Sequence, residues 1–97
     1  MGNYANVISV YSGSEEHLLT VQSILEHAHV AYQELGNTFF VKTISGEQER
    51  SIFTALDTLP TAYTFVHVER LEATYVRGNG IDPDKLRRIR SFFISEF

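Results

Sequence analysis

The apolar positions of the chain change their spacing several times, and these changes divide it into strands and helices. Residues 5–11 are apolar and β-branched in the pattern of a half-buried strand. Residues 14–28 then repeat apolar side chains every three or four positions, which predicts an amphipathic helix. Ser14 is the expected N-cap, and Glu15 and Glu16 suit the positive end of the helix dipole.

Two short strands follow, at residues 30–35 and 38–44, and only Gly36 and Asn37 separate them. Tight two-residue turns require positive φ angles, which glycine and asparagine tolerate. The spacing therefore predicts a β-hairpin.

A second helix is expected from the N-cap Ser45, because Gln48 completes a capping-box pattern, and Pro60 ends it. Its predicted apolar stripe consists of Ile52, Phe53, Leu56 and Leu59. Residues 61–68 and 71–77 have the composition of strands, the second at an edge of the sheet.

A last helix is predicted from Asp82, with Pro83 at its first position and Leu86 and Ile89 on its apolar stripe. The order β-α-β-β-α-β, followed by an extra edge strand and a helix, is the α+β ferredoxin-like arrangement, with two helices on one face of an antiparallel sheet. The amphipathic last helix or a second subunit is expected to cover the other face.

The 97 residues, 43% of them hydrophobic, correspond to a single domain over 1–97. The chain has no cysteine, which excludes disulfides, thiolate zinc sites and thiol redox catalysis. It has no apolar run of membrane-spanning length and no signal-peptide pattern, so we expect a cytoplasmic protein without a membrane partner. We predict no cofactor and no metal site.

The net charge of −4 is unevenly distributed: residues 1–60 have seven acids and two bases, and residues 61–97 have five acids and six bases. Arginines on a rigid helix can bind phosphates bidentately, so the basic run in the last helix predicts a nucleic-acid-binding surface. For the run taken by itself, the favoured interpretation is a solvated helix face that pairs with acids elsewhere in this acidic chain. The predicted nucleic-acid-binding residues are Arg77, Lys85, Arg87, Arg88 and Arg90.

The corner after the first strand is the weaker candidate site. Glu15 or Glu16 would serve there as a metal ligand or general base, and His17 as an acid–base partner. Adjacent helical residues point in different directions, however, so the two glutamates are not a natural chelating pair. Helix capping is the favoured interpretation.

Residues 7 to about 78 resemble a family in the strand "TFFVKT", the polar helix start at Ser45 to Glu49, and the strand "YTFVHV" that leads to an arm. The family is the small ferredoxin-like endoribonuclease group, which includes CRISPR-associated protein family two and an antitoxin ribonuclease of toxin–antitoxin systems. The resemblance implies a homodimer whose C-terminal strand extends a sheet across the interface. Its predicted interface residues are Leu71, Tyr75, Phe92 and Phe97.

Such nucleases typically end the first strand with an aspartate that holds a divalent metal, but Ser12 stands in this place here. A hydroxyl binds a hard metal far more weakly than a carboxylate does. The resemblance therefore implies the shape of the family without its chemistry.

A second resemblance is to the thioredoxin superfamily. "TLPTAYTF" is similar to that family's strand preceded by proline, with Pro60 in its place. A thioredoxin crosses over where Gly36 and Asn37 predict a hairpin, so the ferredoxin-like arrangement is preferred.

These patterns predict a small, non-catalytic, homodimeric protein that contacts nucleic acid, preferably RNA, through its C-terminal basic helix. One alternative is a protein-interaction module, such as an antitoxin, inhibitor or adaptor, that acts through its acidic surface. The other is a metal-dependent endoribonuclease.

Overall fold

The computed structural model describes residues 4–68 and 80–94. Side chains are described for the same residues up to Phe92. The elements are β1 Tyr4–Val10, α1 Glu15–His27, β2 Ala31–Leu35, β3 Thr38–Thr43, α2 Gly46–Leu56, β4 Tyr63–Val68 and α3 Pro83–Ile94. The predicted edge strand at 71–77, with Leu71, Tyr75 and Arg77, lies outside the described residues, as does Phe97. No helix within the described ranges is long and apolar enough to cross a bilayer.

The described strands form one antiparallel sheet in the order β2-β3-β1-β4. Strand β1 lies in its interior, where Ile8 is opposite Phe39 of β3 and Phe65 of β4. The fold is therefore α+β, and this order is compatible with the predicted ferredoxin-like arrangement. Strands β2 and β3 pair as a hairpin where a thioredoxin-like chain would cross over, so the described strands do not follow that alternative.

The hairpin turn lies where predicted, and of its two residues Gly36 alone adopts a positive φ. Gly36 has φ 59°, in the left-handed region that glycine adopts without strain. The Asn37 carbonyl accepts from the amide of Val10 at 2.9 Å, and its side-chain amide donates to the Ser12 carbonyl at 3.0 Å. The turn thus holds the chain where it leaves β1.

Helices α1 and α2 cover one face of the sheet. The buried side chains of this core are Ile8, Val10, Val21, Leu25, Phe39, Val41, Ile52 and Leu56. Phe53, predicted on the inward stripe of α2, is 36% exposed instead. Its ring meets the ring of Phe65 edge-on with centroids 5.7 Å apart. The stripe is narrower than predicted because Ile52 and Leu56 fill the interior.

Helix α3 covers part of the other face, as the sequence predicts for the C-terminal helix. Ile89 is 3% exposed and packs with Ala5 of β1, which is fully buried. Phe92 packs on the same cluster, and the Lys42 ammonium lies 4.6 Å from its ring centroid. Burial of Ile89 and Phe92 therefore fixes which side of α3 meets the solvent.

The two helix starts differ in how they are capped. The Ser45 hydroxyl accepts from the Gln48 amide at 3.1 Å, which confirms the predicted N-cap of α2. The side chain of Ser14 caps nothing, so the capping role predicted for its hydroxyl is wrong. Its own amide instead donates to the hydroxyl of Ser12 at 3.0 Å. The predicted N-cap position of α1 is thus correct, while its side-chain hydrogen bond is absent.

We expect Gly36→Ala to destabilise the fold by about 1 kcal/mol, because a Cβ makes the left-handed backbone unfavourable. Steric clash contributes nothing, since an added Cβ has no neighbour within 4 Å. Gly13→Ala is the matched control, because its surroundings are equally open and its φ is not in the positive range. Urea unfolding monitored by circular dichroism measures both, and equal stability of the two variants would contradict the strain argument.

Candidate functional site

Helix α3 presents all four of its basic side chains to solvent. Lys85, Arg87, Arg88 and Arg90 are exposed, whereas Ile89 between them is buried. The helical repeat of 3.6 residues turns the positions one and two from Ile89 away from it, and these positions hold the three arginines. Lys85, four residues before Ile89, lies on the Ile89 side of the helix and is nonetheless exposed. We call these four residues the basic face.

One base of this face has a partner on the same helix. The Arg87 guanidinium donates to the Asp84 carboxylate one turn earlier, and both side chains are well exposed. Within 4–68 and 80–94, no carboxylate pairs with Lys85 or Arg88. Among Lys85, Arg87 and Arg88, the alternative of a face neutralised by local acids therefore applies to Arg87.

A groove of about 510 Å³ runs between α3 and β2. Its lining residues are Gln33, Asp84, Arg87, Arg88, Ser91 and Phe92. All except Gln33 lie at spacings of three or four along α3, so one side of the helix forms one wall. The sequence analysis missed Gln33 and Ser91, and only the spacing of Ser91 from Arg87 and Arg88 could have indicated it. Phe92 lies in this groove, and its interface role stays a prediction.

The corner between β1 and α1 brings a hydroxyl and an imidazole together. The Ser12 Oγ and His17 Nδ1 atoms are 2.7 Å apart, while Glu15 and Glu16 extend into solvent. Nowhere in the described ranges do three His, Cys, Asp or Glu side chains form a group that could hold a metal ion. The corner therefore joins His17 to the loop and leaves both glutamates apart from it.

The most unusual packing in the core is a chain of four polar residues contributed by β1, β3, α2 and β4. The Thr43 hydroxyl donates to Asn6 Oδ1 at 2.6 Å, and Asn6 Nδ2 donates to Glu49 Oε2. That same carboxylate oxygen accepts from His67 Nδ1 at 2.5 Å. We call these four residues the Glu49 cluster.

Burial decreases along the Glu49 cluster from the core to the surface. Asn6 and Thr43 are fully buried and Glu49 is 7% exposed, whereas the side chain of His67 is 39% exposed. The ring of Tyr4 lies against His67 with centroids 4.8 Å apart. His67 is thus a strand residue whose hydrogen-bond partner lies on a helix.

Glu49 and Asn6 were missed by the sequence analysis, although two signals were present. Glu49 lies three residues before Ile52, on the inward side of α2, and Asn6 interrupts an apolar strand. A buried carboxylate needs hydrogen bonds to compensate for its lost hydration, and Asn6 and His67 provide them directly, while Thr43 holds Asn6. The cluster can hold α2 against the ends of β1, β3 and β4.

A separate tyrosine–carboxylate contact joins β4 to the end of α2. The Tyr63 hydroxyl donates to the carboxylate of Asp57. This hydrogen bond, with smaller effects from burial and from the charge of Asp57, raises the pKa of Tyr63 to about 12. The contact stabilises the neutral phenol and supplies no reactive group at neutral pH.

Comparisons of the chain with models of protein families, with curated proteins and with solved structures found no match. The basic face, the α3–β2 groove and the Glu49 cluster are thus the features of this chain that bear on its function.

We expect Glu49→Ala to destabilise the protein by about 2–3 kcal/mol, because the buried amide of Asn6 loses its acceptor. Glu47→Ala is the matched control: it removes an exposed glutamate from the same helical turn and should cost less than about 0.5 kcal/mol. Equilibrium urea denaturation measures both changes. Equal small losses would show that the cluster contributes little.

Proposed function

We propose that this chain is a small, non-catalytic nucleic-acid-binding protein that contacts its ligand through α3, with RNA preferred over DNA. The observation that carries the proposal is the exposed basic face beside a groove lined by Arg87 and Arg88. Phosphate oxygens accept hydrogen bonds from guanidinium groups, and a helix holds several such groups in a fixed row. The preference for RNA follows from the resemblance to the ribonuclease group.

The distribution of charge supports α3 as the contact surface despite the net charge of −4. Exposed acids such as Glu15, Glu16 and Glu47 belong to α1 and α2, on the other side of the sheet from α3. The acids of α3, Asp82 and Asp84, lie at its N-terminal end, and Asp84 hydrogen-bonds to Arg87. Phosphates would therefore approach the later part of α3, away from most of the negative charge.

We infer a ferredoxin-like fold for this protein. Each strand in the order β2-β3-β1-β4 is antiparallel to its neighbours, and α1 and α2 share one face. This arrangement supports two interleaved β-α-β units, which is the basis of that fold.

A homodimer is part of the proposal, and exposed apolar side chains on the sheet support it. Val66 is 48% exposed and Tyr11 is 62% exposed. Val66 pairs with Val7 on the face that α3 covers only in part. A second copy could bury this surface.

A protein-interaction module remains the second candidate, and a shallow groove of about 300 Å³ between α1 and α2 favours it. Ile24, Ala28 and Ala55 give this groove apolar surface, to which a helix of a protein partner could bind. Retention on heparin at moderate salt would favour nucleic acid, and complete flow-through would favour a protein partner. The metal-dependent endoribonuclease gains no support from the described side chains.

The triple variant Arg87→Ala/Arg88→Ala/Arg90→Ala should weaken RNA binding at least tenfold at ~100 mM salt. The slope of log K against log salt should become shallower by about two. The variant makes fewer phosphate contacts, so its binding releases fewer counterions from the RNA. Fluorescence anisotropy with a labelled RNA over a salt series measures both quantities.

Arg50→Ala is its control, since Arg50 is exposed on α2 on the other side of the sheet. An unchanged affinity and slope in the triple variant would show that α3 is not the contact surface. RNA cleavage that requires magnesium would instead favour the nuclease alternative.

Val66→Glu should convert a dimer into a monomer in sedimentation velocity, because a charge at a buried apolar contact opposes association. Leu19→Glu is the matched control, as Leu19 is 55% exposed on α1, away from this face. A wild-type protein that sediments as a monomer at all concentrations would contradict the homodimer.

A further inference from the structure

We propose that the α3–β2 groove binds one nucleotide of a single-stranded nucleic acid, its phosphate at Arg88 and Arg87 and its base against Phe92 and Gln33. The inference rests on the proposed function and specifies the form of the ligand. It predicts selection of single strands over duplexes.

The size and lining of the groove suit a small polar ligand with one flat apolar part. Its volume of about 510 Å³ lies within the range of small-molecule sites. One wall combines two guanidinium groups and the Ser91 hydroxyl with the ring of Phe92, and the side-chain amide of Gln33 comes from β2. Cationic, aromatic and amide groups are the ones that proteins use for phosphate, base face and base edge.

The phosphate position follows from the charges along α3. Arg87 is already hydrogen-bonded to Asp84, which repels a phosphate from that end of the groove. Arg88 has no carboxylate partner in the part of the chain that the structure describes. Arg88 is therefore the main phosphate ligand, and Arg87 adds charge and a second donor.

The base position follows from the packing of Phe92. Its ring is half-buried, packs on the cluster of Ala5 and Ile89, and has the Lys42 ammonium 4.6 Å from its centroid. These contacts hold the ring in place, so it offers apolar surface at little entropic cost. The Gln33 amide can both donate to and accept from a base edge.

Single strands are selected because the bases of a duplex are stacked on one another and paired. Such bases cannot turn towards Phe92 without disruption of the helix, whereas unpaired bases can. A duplex would meet only the basic face, through its phosphates. Binding of single-stranded RNA should therefore depend on Phe92 more strongly than binding of a duplex does.

Fluorescence anisotropy with a labelled 12-nucleotide RNA tests the proposal, and the RNA is used either single-stranded or annealed to its complement. The measurement is made at about 100 mM salt, because this salt weakens binding that depends on phosphate contacts only. We expect the single strand to bind at least fivefold more tightly than the duplex. Phe92→Leu should weaken single-strand binding about fivefold and duplex binding less than twofold, because base–aromatic contact is lost. Gln33→Ala should weaken single-strand binding about threefold by removing a hydrogen bond.

Phe53→Leu is the matched control, because it changes a partly exposed aromatic on the other side of the sheet. If Phe92→Leu fails to fold, as thermal unfolding would show, Gln33→Ala decides, since Gln33 lies outside both apolar clusters. The groove proposal is overturned if the wild-type protein binds single-stranded and duplex RNA equally tightly. It is also overturned if Phe92→Leu reduces the affinity for both RNA forms by the same factor. The α3 contact survives that result if the triple arginine variant still loses affinity, whereas absence of RNA binding by the wild-type protein overturns both.

Discussion

Strand β1 is hydrogen-bonded on both sides and has a fully buried residue on each face, and the rest of the structure depends on this position. Ile8 faces the core under α1 and α2, while Ala5 faces α3, and both are fully inaccessible. A sheet with apolar residues on both faces needs a cover on each. Helix α3 takes its position from this need, since Ile89 is the side chain that packs on Ala5. The outward direction of Arg88 is thus a consequence of how β1 is buried.

The Glu49 cluster acts on the same strand in a different way. A buried carboxylate with its partners rarely adds net stability over an apolar core, but an unpaired one is strongly unfavourable. A slip of β1 by one residue would turn Asn6 to the other face and leave Glu49 and Thr43 without it. The cluster therefore penalises wrong registers of β1 with β3 and β4. Apolar contacts between Val and Ile side chains discriminate between registers less sharply.

Much of the fold could be predicted because its signals are local. The hairpin at Gly36 needs only its own backbone angles, and the helix starts at Ser45 and Pro83 agree with the sequence patterns. Ser14 is the N-cap residue of α1, as its position predicts, but its hydroxyl accepts no amide of the first turn. Residue type and position predict where a helix begins, and they do not fix the rotamer that makes the side-chain hydrogen bond.

The candidate sites were harder to predict, since they join residues that are distant in the sequence. The burial of Glu49 depends on Asn6, which is 43 positions away, and the groove depends on Gln33 of β2 meeting α3. A pattern read along one helix identified Arg87 and Arg88 but not the strand beside them. Only the packing of α3 on the sheet could show that the basic face has a groove at its side.

The same packing makes the proposed binding of a polyanion compatible with an acidic net charge. The acids of α1 and α2 lie across the sheet from α3, on the order of 20 Å away for one sheet between two helix layers. This separation exceeds the screening length of about 8 Å at physiological salt. A phosphate beside Arg88 is therefore affected mainly by α3, where Asp84 is the nearest acid on the groove wall and is hydrogen-bonded to Arg87. In the proposed complex, the net charge of −4 would slow the approach of the nucleic acid at low salt, and the local geometry of α3 would decide binding.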